Sequence, residues 1–258
     1  MGEKADAGAG LVRLALSAAG GAERWSRART VRGRLRMRGP TWDRVGQPGI
    51  LDGVGVEVDL RQQRTVFTGF TGPARRGVYT PDRVTVERAD GTAMLTRDQP
   101  RKAYPVFGAN ARWDALHALH FAGYGLWNYL TAPFLLTLPG VGTEELDPVE
   151  VNGERWRRLR VTFPESVVTH SSPQTWYFGE DGTQRRLDYA PHALGGLPAA
   201  HLTEAHRSFS GLVFPTHRYV LPRPPGGPLG STPVITVDLD DLTVDFDDVT
   251  APPVQEEE

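Results

Sequence analysis

The sequence predicts a mainly β protein of the α+β class. We expect a large curved antiparallel sheet, or incomplete β-barrel, with a helix packed in its concave face. Alternating apolar and polar runs recur along most of the 258 residues, separated in places by Asx-Gly turns. One central segment instead repeats aromatic residues at helical spacing. No composition shift marks a boundary, so we expect a single half-barrel domain over residues 1–250 and a disordered acidic tail at 251–258.

The composition excludes several classes of protein. Hydrophobic residues make up 39% of the chain and charged residues 23%, which suits a folded core better than a disordered or fibrous chain. The absence of cysteine excludes disulfides, zinc–thiolate sites and thiol catalysis. No apolar stretch approaches the ~20 residues of a membrane-spanning helix. No secretory signal opens the sequence, so we expect a cytoplasmic protein.

The charges are divided unevenly along the chain. Residues 1–112 carry 20 basic and 11 acidic side chains, whereas residues 113–258 carry 9 basic and 20 acidic ones. The net charge is only −2, so we expect the two halves to complement each other and no nucleic-acid partner. The alternative is that the first half forms a patch for an anionic ligand or a membrane surface.

The first predicted elements are two short helices and a strand. Apolar residues at helical spacing predict helices within 9–28, with a break at Gly20-Gly21. Residues 30–38 then alternate between apolar residues and arginines, which predicts a half-buried antiparallel strand with a solvated face. The aromatic residues that nucleic-acid binding would interleave with these arginines are absent.

Hairpin strands are predicted on both sides of the central helix. Before it, Asp90-Gly91 is a two-residue turn signal between β-rich runs. After it, Asn152-Gly153 and residues 179–182 give similar signals. The later predicted strands are 54–60, 64–70, 83–88, 93–96, 147–151, 154–163, 174–178, 184–189, 203–209, 212–221 and 234–241. We interpret the acidic run from Asp238 to Asp248 as a solvated, charge-protected edge strand.

The central helix, predicted over 112–130, carries the candidate catalytic residues. His117, His120 and Tyr124 lie on one face, at i, i+3 and i+7. Imidazoles can move protons near neutral pH, and a phenol can donate to a carbonyl or a developing oxyanion. The structural alternative is a buried helix whose histidines hydrogen-bond to strand carbonyls.

An apolar cavity is expected where the helix meets the curved sheet. The residues predicted to line it are Trp113, Phe121, Trp127, Asn128, Phe134, Leu136, His170 and His217. The expected partner is a hydrophobic small molecule, such as an acyl or polyketide-like chain. A cofactor-independent cyclase, isomerase or hydrolase in the same cavity is the alternative function, and an interaction domain with a filled core is the third. The sequence carries no prediction of oligomeric state.

No metal or cofactor is expected. His117 and His120 offer two imidazoles, and His170, His201, His206 or His217 could add the third ligand that a catalytic zinc usually takes. The His-Glu-x-x-His spacing is absent, so we expect no metal. The acidic run lacks the glycine and the closing glutamate of a calcium loop. No glycine-rich loop follows a predicted strand, as dinucleotide binding requires.

Aromatic strands, acidic-glycine turns and Arg-rich strands follow one another in several segments of the chain. The segments with this pattern are 151–161, 176–182 and 185–189, and the opening segments 18–25 and 31–35 and the closing segment 209–217 also carry the resemblance. In this pattern the chain resembles the superfamily of LolA/LolB-like lipoprotein localisation factors. The resemblance implies an incomplete antiparallel β-barrel, with helices plugging an apolar cavity that binds acyl chains. The missing signal peptide points to a bacterial branch distinct from the periplasmic carriers.

Overall fold

Thirteen antiparallel strands form one sheet, and four α-helices accompany it, in the part of the chain that the structure describes. The computed structural model describes residues 2–247, so the tail predicted at 251–258 lies outside the described residues. The strands are β1 (Ala28–Arg38), β2 (Asp52–Asp59), β3 (Arg64–Thr68), β4 (Arg75–Tyr79), β5 (Arg83–Arg88), β6 (Ala93–Asp98), β7 (Gly142–Val151), β8 (Glu154–Thr162), β9 (Gln174–Phe178), β10 (Gln184–Tyr189), β11 (Ala199–Phe209), β12 (Leu212–Pro222) and β13 (Ile235–Phe246). The helices are α1 (Gly2–Ala18), α2 (Ala22–Arg27), α3 (Pro40–Arg44) and α4 (Ala115–Thr131), with 3₁₀ turns at Pro100–Ala103, Phe134–Thr137 and His192–Leu194.

The strand order is β6-β5-β4-β3-β2-β1-β13-β12-β11-β10-β9-β8-β7. Within β1–β6 and within β7–β13 each strand therefore pairs with its neighbours in sequence, and β1 pairs with β13 to join the two halves of the chain. Strands β6 and β7 form the two edges, so the sheet stays open, and α4 lies in the sequence between them. The curved sheet with a packed helix, predicted from the sequence, is confirmed.

Strand β1 shows why its sequence alternates. Val31, Leu35 and Met37 are buried in the hydrophobic core, at 4% exposure or less. The arginines between them point outward, as predicted. Burial of every second residue is the usual condition of a sheet with one face on the core and one in solvent.

The acidic run of the sequence lies in β13, which is a central strand and not the predicted edge. β13 pairs with β1 on one side and β12 on the other. Its carboxylates face the arginines of β1: Arg36 contacts Asp240 at 2.5 Å, and Arg32 contacts Asp245. The acidic run covers these arginines, and the expected complementarity of the two charged halves is confirmed at this seam. Asp248 lies outside the described residues.

Helix α4 crosses the inner face of the sheet and is buried on all sides. Every residue from Leu116 to Thr131 is buried. Asp114 caps the helix: its carboxylate accepts from the backbone N–H of His117 at 3.0 Å. Strand β3 ties to the middle of the helix, because Thr65 donates to the carbonyl of Gly123 at 2.9 Å. A helix buried all round needs apolar residues on every face, which explains why most residues of α4 are apolar and why its buried polar side chains have hydrogen-bond partners within the protein.

Strand β4 was not predicted, yet it positions α4. Its residues Arg75–Tyr79 include Gly77, which weakens any β signal in the sequence. A Cβ on Gly77 would lie 2.7 Å from Leu119, and one on Gly123 would lie 2.4 Å from Tyr79. These two glycines therefore let helix and strand approach closely, which fixes the position of α4 on the sheet.

Candidate functional site

A cavity of about 290 Å³ lies between α4 and the inner face of β1, β12 and β13. Its lining residues are Met37, Thr41, Arg44, Phe107, Phe121, Ala122, Gly125, Tyr129, Tyr189, Pro191, Leu194, Leu197, Pro198, Ala199, Val220, Pro222, Val234, Ile235 and Val237. They come from α3, α4, the five strands β1, β10, β11, β12 and β13, the residue Val234 just before β13, and the two segments 104–111 and 191–198. Most of these side chains are apolar, so the space offers apolar contact on nearly every side.

Small residues on α4 create this space. Phe121, Gly125 and Tyr129 are spaced by four and share one helical face, with Ala122 beside them. Gly125 and Ala122 place no bulk between the two rings, so the helix surface is hollow there. Side chains of the sheet form the opposite side but do not fill the hollow.

The tyrosines of the cavity are already hydrogen-bonded within the protein. The hydroxyl of Tyr129 lies 2.7 Å from Nε2 of His170, and the hydroxyl of Tyr189 lies 3.1 Å from Nδ1 of His201. Nδ1 of His170 is 3.0 Å from the hydroxyl of Tyr124. The hydroxyls of Tyr129 and Tyr189 therefore have partners, and these tyrosines present ring surface to the cavity, whereas Nε2 of His201 has no hydrogen-bond partner among the described residues.

Burial keeps this cluster of rings uncharged. Burial, with the nearby positive charge of Arg101, lowers the pKa of His170 to about 3. Burial lowers the pKa of His201 well below its ordinary value, and it raises the pKa of Tyr129 to about 12. At neutral pH the cluster therefore consists of neutral imidazoles and protonated phenols.

The polar end of the cavity is at α3. Thr41 and Arg44 lie there, and Arg44 carries the single charge among the described residues that line the space. Its guanidinium is exposed to solvent and lies 4.7 Å from the ring centre of Phe107. The cavity is thus apolar inside and cationic at its mouth.

Arg218 was not identified from the sequence, and it lies fully buried on the inner face of β12. It donates to the carbonyl of Tyr129 at 2.9 Å, and its guanidinium stands 5.0 Å over the ring of that tyrosine. Its Nε and Nη1 have no partner among the described residues. Burial lowers the pKa of Arg218 to about 10. Alternation along β12 places it inside, but no sequence pattern marks an arginine as buried.

The three predicted catalytic residues are buried on α4 but do not line the cavity. The ring of His117 folds back on the cap: Nδ1 accepts from the backbone of Asp114 at 3.1 Å, and Nε2 donates to the carbonyl of Ala103 at 2.8 Å. His120 contacts the hydroxyl of Tyr104 through Nδ1 at 2.8 Å, and burial lowers its pKa to about 3. Tyr124 contacts His170, behind the cavity.

Of the residues predicted to line a cavity, Phe121 lines this one. His170 lies behind the cavity wall, where it is hydrogen-bonded to the lining residue Tyr129. The others lie away from this cavity: Trp113, Trp127, Asn128, Phe134, Leu136 and His217. Trp127 donates to the carbonyl of Asp59 at 3.0 Å, and Phe134 stacks on Trp25 with ring centres 4.2 Å apart.

The remaining predicted residues also have structural partners. Trp113 packs on Phe121 at 5.2 Å between ring centres. Asn128 donates to the carbonyls of Tyr124 and Val168, and Leu136 is in the core. His217 points to the outer face of β12, where Nδ1 lies 2.7 Å from the carboxylate of Asp238. Aromatic spacing identified the helix, but on a helix buried all round it does not identify the face that meets a cavity. The small residues Ala122 and Gly125 carried that information.

The described residues hold neither a helix suited to crossing a bilayer nor a cluster of three metal-ligating side chains. No helix within 2–247 is long and apolar enough to span a membrane. No group of three or more His, Cys, Asp or Glu side chains in that range is placed to hold a metal ion.

Comparisons with known proteins identify the fold. The sequence matches no protein-family model and has no significant match among curated proteins. A DUF1329 family protein from Desulfovibrio piger is similar in structure, at 13% identity and a TM-score of 0.52 over 96% of this chain and 95% of that one. A putative outer membrane lipoprotein-sorting protein domain from Vibrio parahaemolyticus has 7% identity and a TM-score of 0.52, with the same coverage. A LolA superfamily protein from Nitrosomonas europaea has 12% identity and a TM-score of 0.47, over 84% and 86%. The two likenesses with a TM-score of 0.52 confirm the fold that the resemblance implied.

Proposed function

We propose that this chain binds one hydrophobic small molecule, an acyl or polyketide-like chain, in the cavity between α4 and the sheet. The observation that carries the proposal is an apolar space of about 290 Å³ whose tyrosines already have hydrogen-bond partners. An apolar void holds water poorly and favours an apolar occupant. Small-molecule pockets span roughly 300–1,000 Å³, so this one suits a single chain.

The arrangement of polar groups gives the ligand a direction. Thr41 and Arg44 lie at the mouth, whereas Val220 and Val237 lie on the inner face of the sheet. A ligand with its chain inside and a polar or anionic end near Arg44 matches both regions. The LolA-like fold supports the proposal, because the superfamily that the sequence resembles binds acyl chains in an apolar cavity.

The enzyme alternative gains no support from the site. It requires His117, His120 and Tyr124 at the cavity, and each of them contacts another part of the protein instead. Both ring nitrogens of the neutral His170 are hydrogen-bonded to tyrosine hydroxyls, so neither is free to exchange a proton with a ligand. Binding, without chemistry, is the function that this geometry supports best.

Titration with a fluorescent polyene fatty acid tests the proposal. The emission of such a probe rises when it enters an apolar site. Gly125→Leu places a side chain in the cavity, where the nearest atoms to an added Cβ are 3.7 Å away. Gly10→Leu is the matched control, because it adds the same side chain to α1, where the nearest atom is 4.0 Å away.

We expect the wild-type chain and Gly10→Leu to bind the probe with similar Kd, and Gly125→Leu to bind it at least about tenfold more weakly. Thermal unfolding of all three chains verifies that they are folded. Equal binding by the three proteins would mean that the probe binds outside the cavity. If the wild-type protein binds no fatty acid of any length tested, the proposal is refuted.

A further inference from the structure

The mouth of the cavity exposes large apolar side chains. Among the described residues, four large hydrophobic side chains are exposed, and two of them, Val106 at 95% and Leu197 at 53%, belong to the segments that flank the mouth. The other two, Met94 and Leu95, lie together on the edge strand β6. Val106 is almost fully exposed, so it adds little to the stability of the fold. The needs of the fold therefore do not explain an apolar side chain at this position.

Val106 and Leu197 belong to one continuous surface at the mouth of the cavity. We call this surface the rim and define it as Arg44, Val106, Phe107, Arg112 and Leu197. Phe107 and Leu197 line the same cavity, and Arg44 stands over the ring of Phe107. Arg112 donates to the carbonyl of Arg44 at 3.3 Å. A Cβ on Gly195 would lie 3.1 Å from Phe107, so the segments 104–111 and 191–198 touch.

The rim is cationic as well as apolar. Arg44 and Arg112 are both exposed, and neither forms an ion pair with another residue of the described chain. The segment 99–112 contains three basic residues and no acidic one, and Asp43 is the acidic residue beside Arg44. On β1, by contrast, Arg32 and Arg36 form ion pairs with carboxylates of β13. Part of the excess of positive charge in the first half of the sequence therefore lies at this mouth.

We infer that the rim docks on a membrane surface that contains anionic lipids. Exposed apolar residues beside unpaired arginines are the combination that binds a lipid interface, by insertion of the apolar groups and attraction to the head groups. A second copy of this chain fits less well, because a symmetric contact would place arginine against arginine. If the proposed function holds, docking would also set the cavity against lipid, so that an apolar chain could enter without crossing water.

Vesicle sedimentation with the full chain tests this inference. The probes are vesicles of phosphatidylcholine alone and vesicles that also contain phosphatidylglycerol, at low and high salt. We expect binding to the anionic vesicles that weakens at high salt, because the Debye length falls from about 10 Å at 0.1 M to about 3 Å at 1 M. We expect little binding to phosphatidylcholine alone.

Two pairs of variants separate the rim from the rest of the surface. Val106→Asp should weaken vesicle binding about tenfold, whereas Leu95→Asp, at an exposed site on β6, should not. Arg112→Gln should weaken it about fivefold, whereas Arg207→Gln, at an exposed position on β11, should not. Binding of the fluorescent fatty acid in solution should be unchanged in Val106→Asp, since Val106 does not line the cavity. Failure of the vesicle test would therefore leave the cavity proposal standing, and the reverse also holds.

Three results would overturn the inference. One is equal sedimentation with both kinds of vesicle. The second is an equal loss of binding in Val106→Asp and Leu95→Asp. The third is a dimer in analytical ultracentrifugation that Val106→Asp dissociates, which would assign the rim to a second copy of the chain.

Discussion

The buried histidines make the stability of the protein depend on pH. His120, His170 and His201 are almost completely buried, and burial lowers the pKa of each: to about 3 for the first two, and well below the ordinary value for the third. In the unfolded chain the same groups bind protons at an ordinary pKa of about 6.5. Below pH 6.5 the unfolded chain therefore binds protons on these histidines that the folded chain does not bind. The free energy of unfolding is at its full value above pH 6.5 and declines as the pH falls towards 3.

We predict that the free energy of unfolding falls between pH 6.5 and 5, by up to about 1.4 kcal/mol per pH unit for each such histidine. Urea denaturation at several pH values measures this slope. His120→Gln should reduce it by about one histidine's share, while His192→Gln, at an exposed position, should leave it unchanged. A free energy of unfolding that stays constant over this window would contradict the assignment of neutral, buried imidazoles.

Residue identities alone predicted part of this arrangement. The sequence indicated that the central histidines belong to a helix under a sheet. The structural alternative was hydrogen bonds to strand carbonyls; His117 does donate to a carbonyl, but to that of Ala103 in a 3₁₀ turn and not to one on a strand. The contacts of His120 and His170 with tyrosine hydroxyls join segments far apart in sequence, so no local pattern contains them. The outward direction of His217 follows from alternation along β12, once the inner face is known.

At the scale of the element, the two glycines in the middle of α4 face opposite surroundings. Gly123 lies against β4, where an added Cβ would be 2.4 Å from Tyr79. Gly125 faces the cavity, where the nearest atoms would be 3.7 Å away. Both replacements by alanine gain the same helix propensity, about 1 kcal/mol, so any difference between them reports the local packing.

We predict that Gly125→Ala raises the free energy of unfolding by up to about 1 kcal/mol, and that Gly123→Ala lowers it by about 1–3 kcal/mol through overpacking. Chemical denaturation of the two variants and the wild type checks both signs. Equal effects of the two substitutions would mean that the cavity side of the helix is as tightly packed as the side against β4.

The elements themselves were largely predictable, since turn residues and alternation are local signals. The hairpins at Asp90-Gly91 and Asn152-Gly153 form as expected. Strand β4 escaped prediction because Gly77, which the close approach of α4 requires, lowers its β propensity. The acidic β13 was assigned to an edge because charged strands are typical there; its partner, the Arg-rich β1, lies some 200 residues earlier.

At the scale of the whole molecule, the seam between β1 and β13 joins the two halves of one open sheet. The halves have opposite net charge, and the ion pairs Arg32–Asp245 and Arg36–Asp240 cross the seam. Each exposed pair contributes little, about 0–1 kcal/mol. Their main effect is on pairing, because opposite charges suit strands in contact and like charges oppose other partners. The predicted cytoplasmic location stays a prediction.

The cavity follows from this architecture. An open curved sheet with a helix across its inner face leaves space wherever the helix carries small residues, and α4 carries Ala122 and Gly125 opposite the sheet. The sequence predicted that a cavity exists. It did not predict which helical face forms it, because α4 is buried on all sides and the opposing strands come from both ends of the chain.

A crystal structure of the protein with a brominated fatty acid tests the central claim most directly, since anomalous scattering locates the bromine. We predict a bromine peak between Gly125 and the side chains of Val220 and Val237, with the carboxylate end near Arg44. If the fatty acid occupies every molecule in the crystal but its bromine lies outside this space, and the cavity contains no ligand, the claim is contradicted.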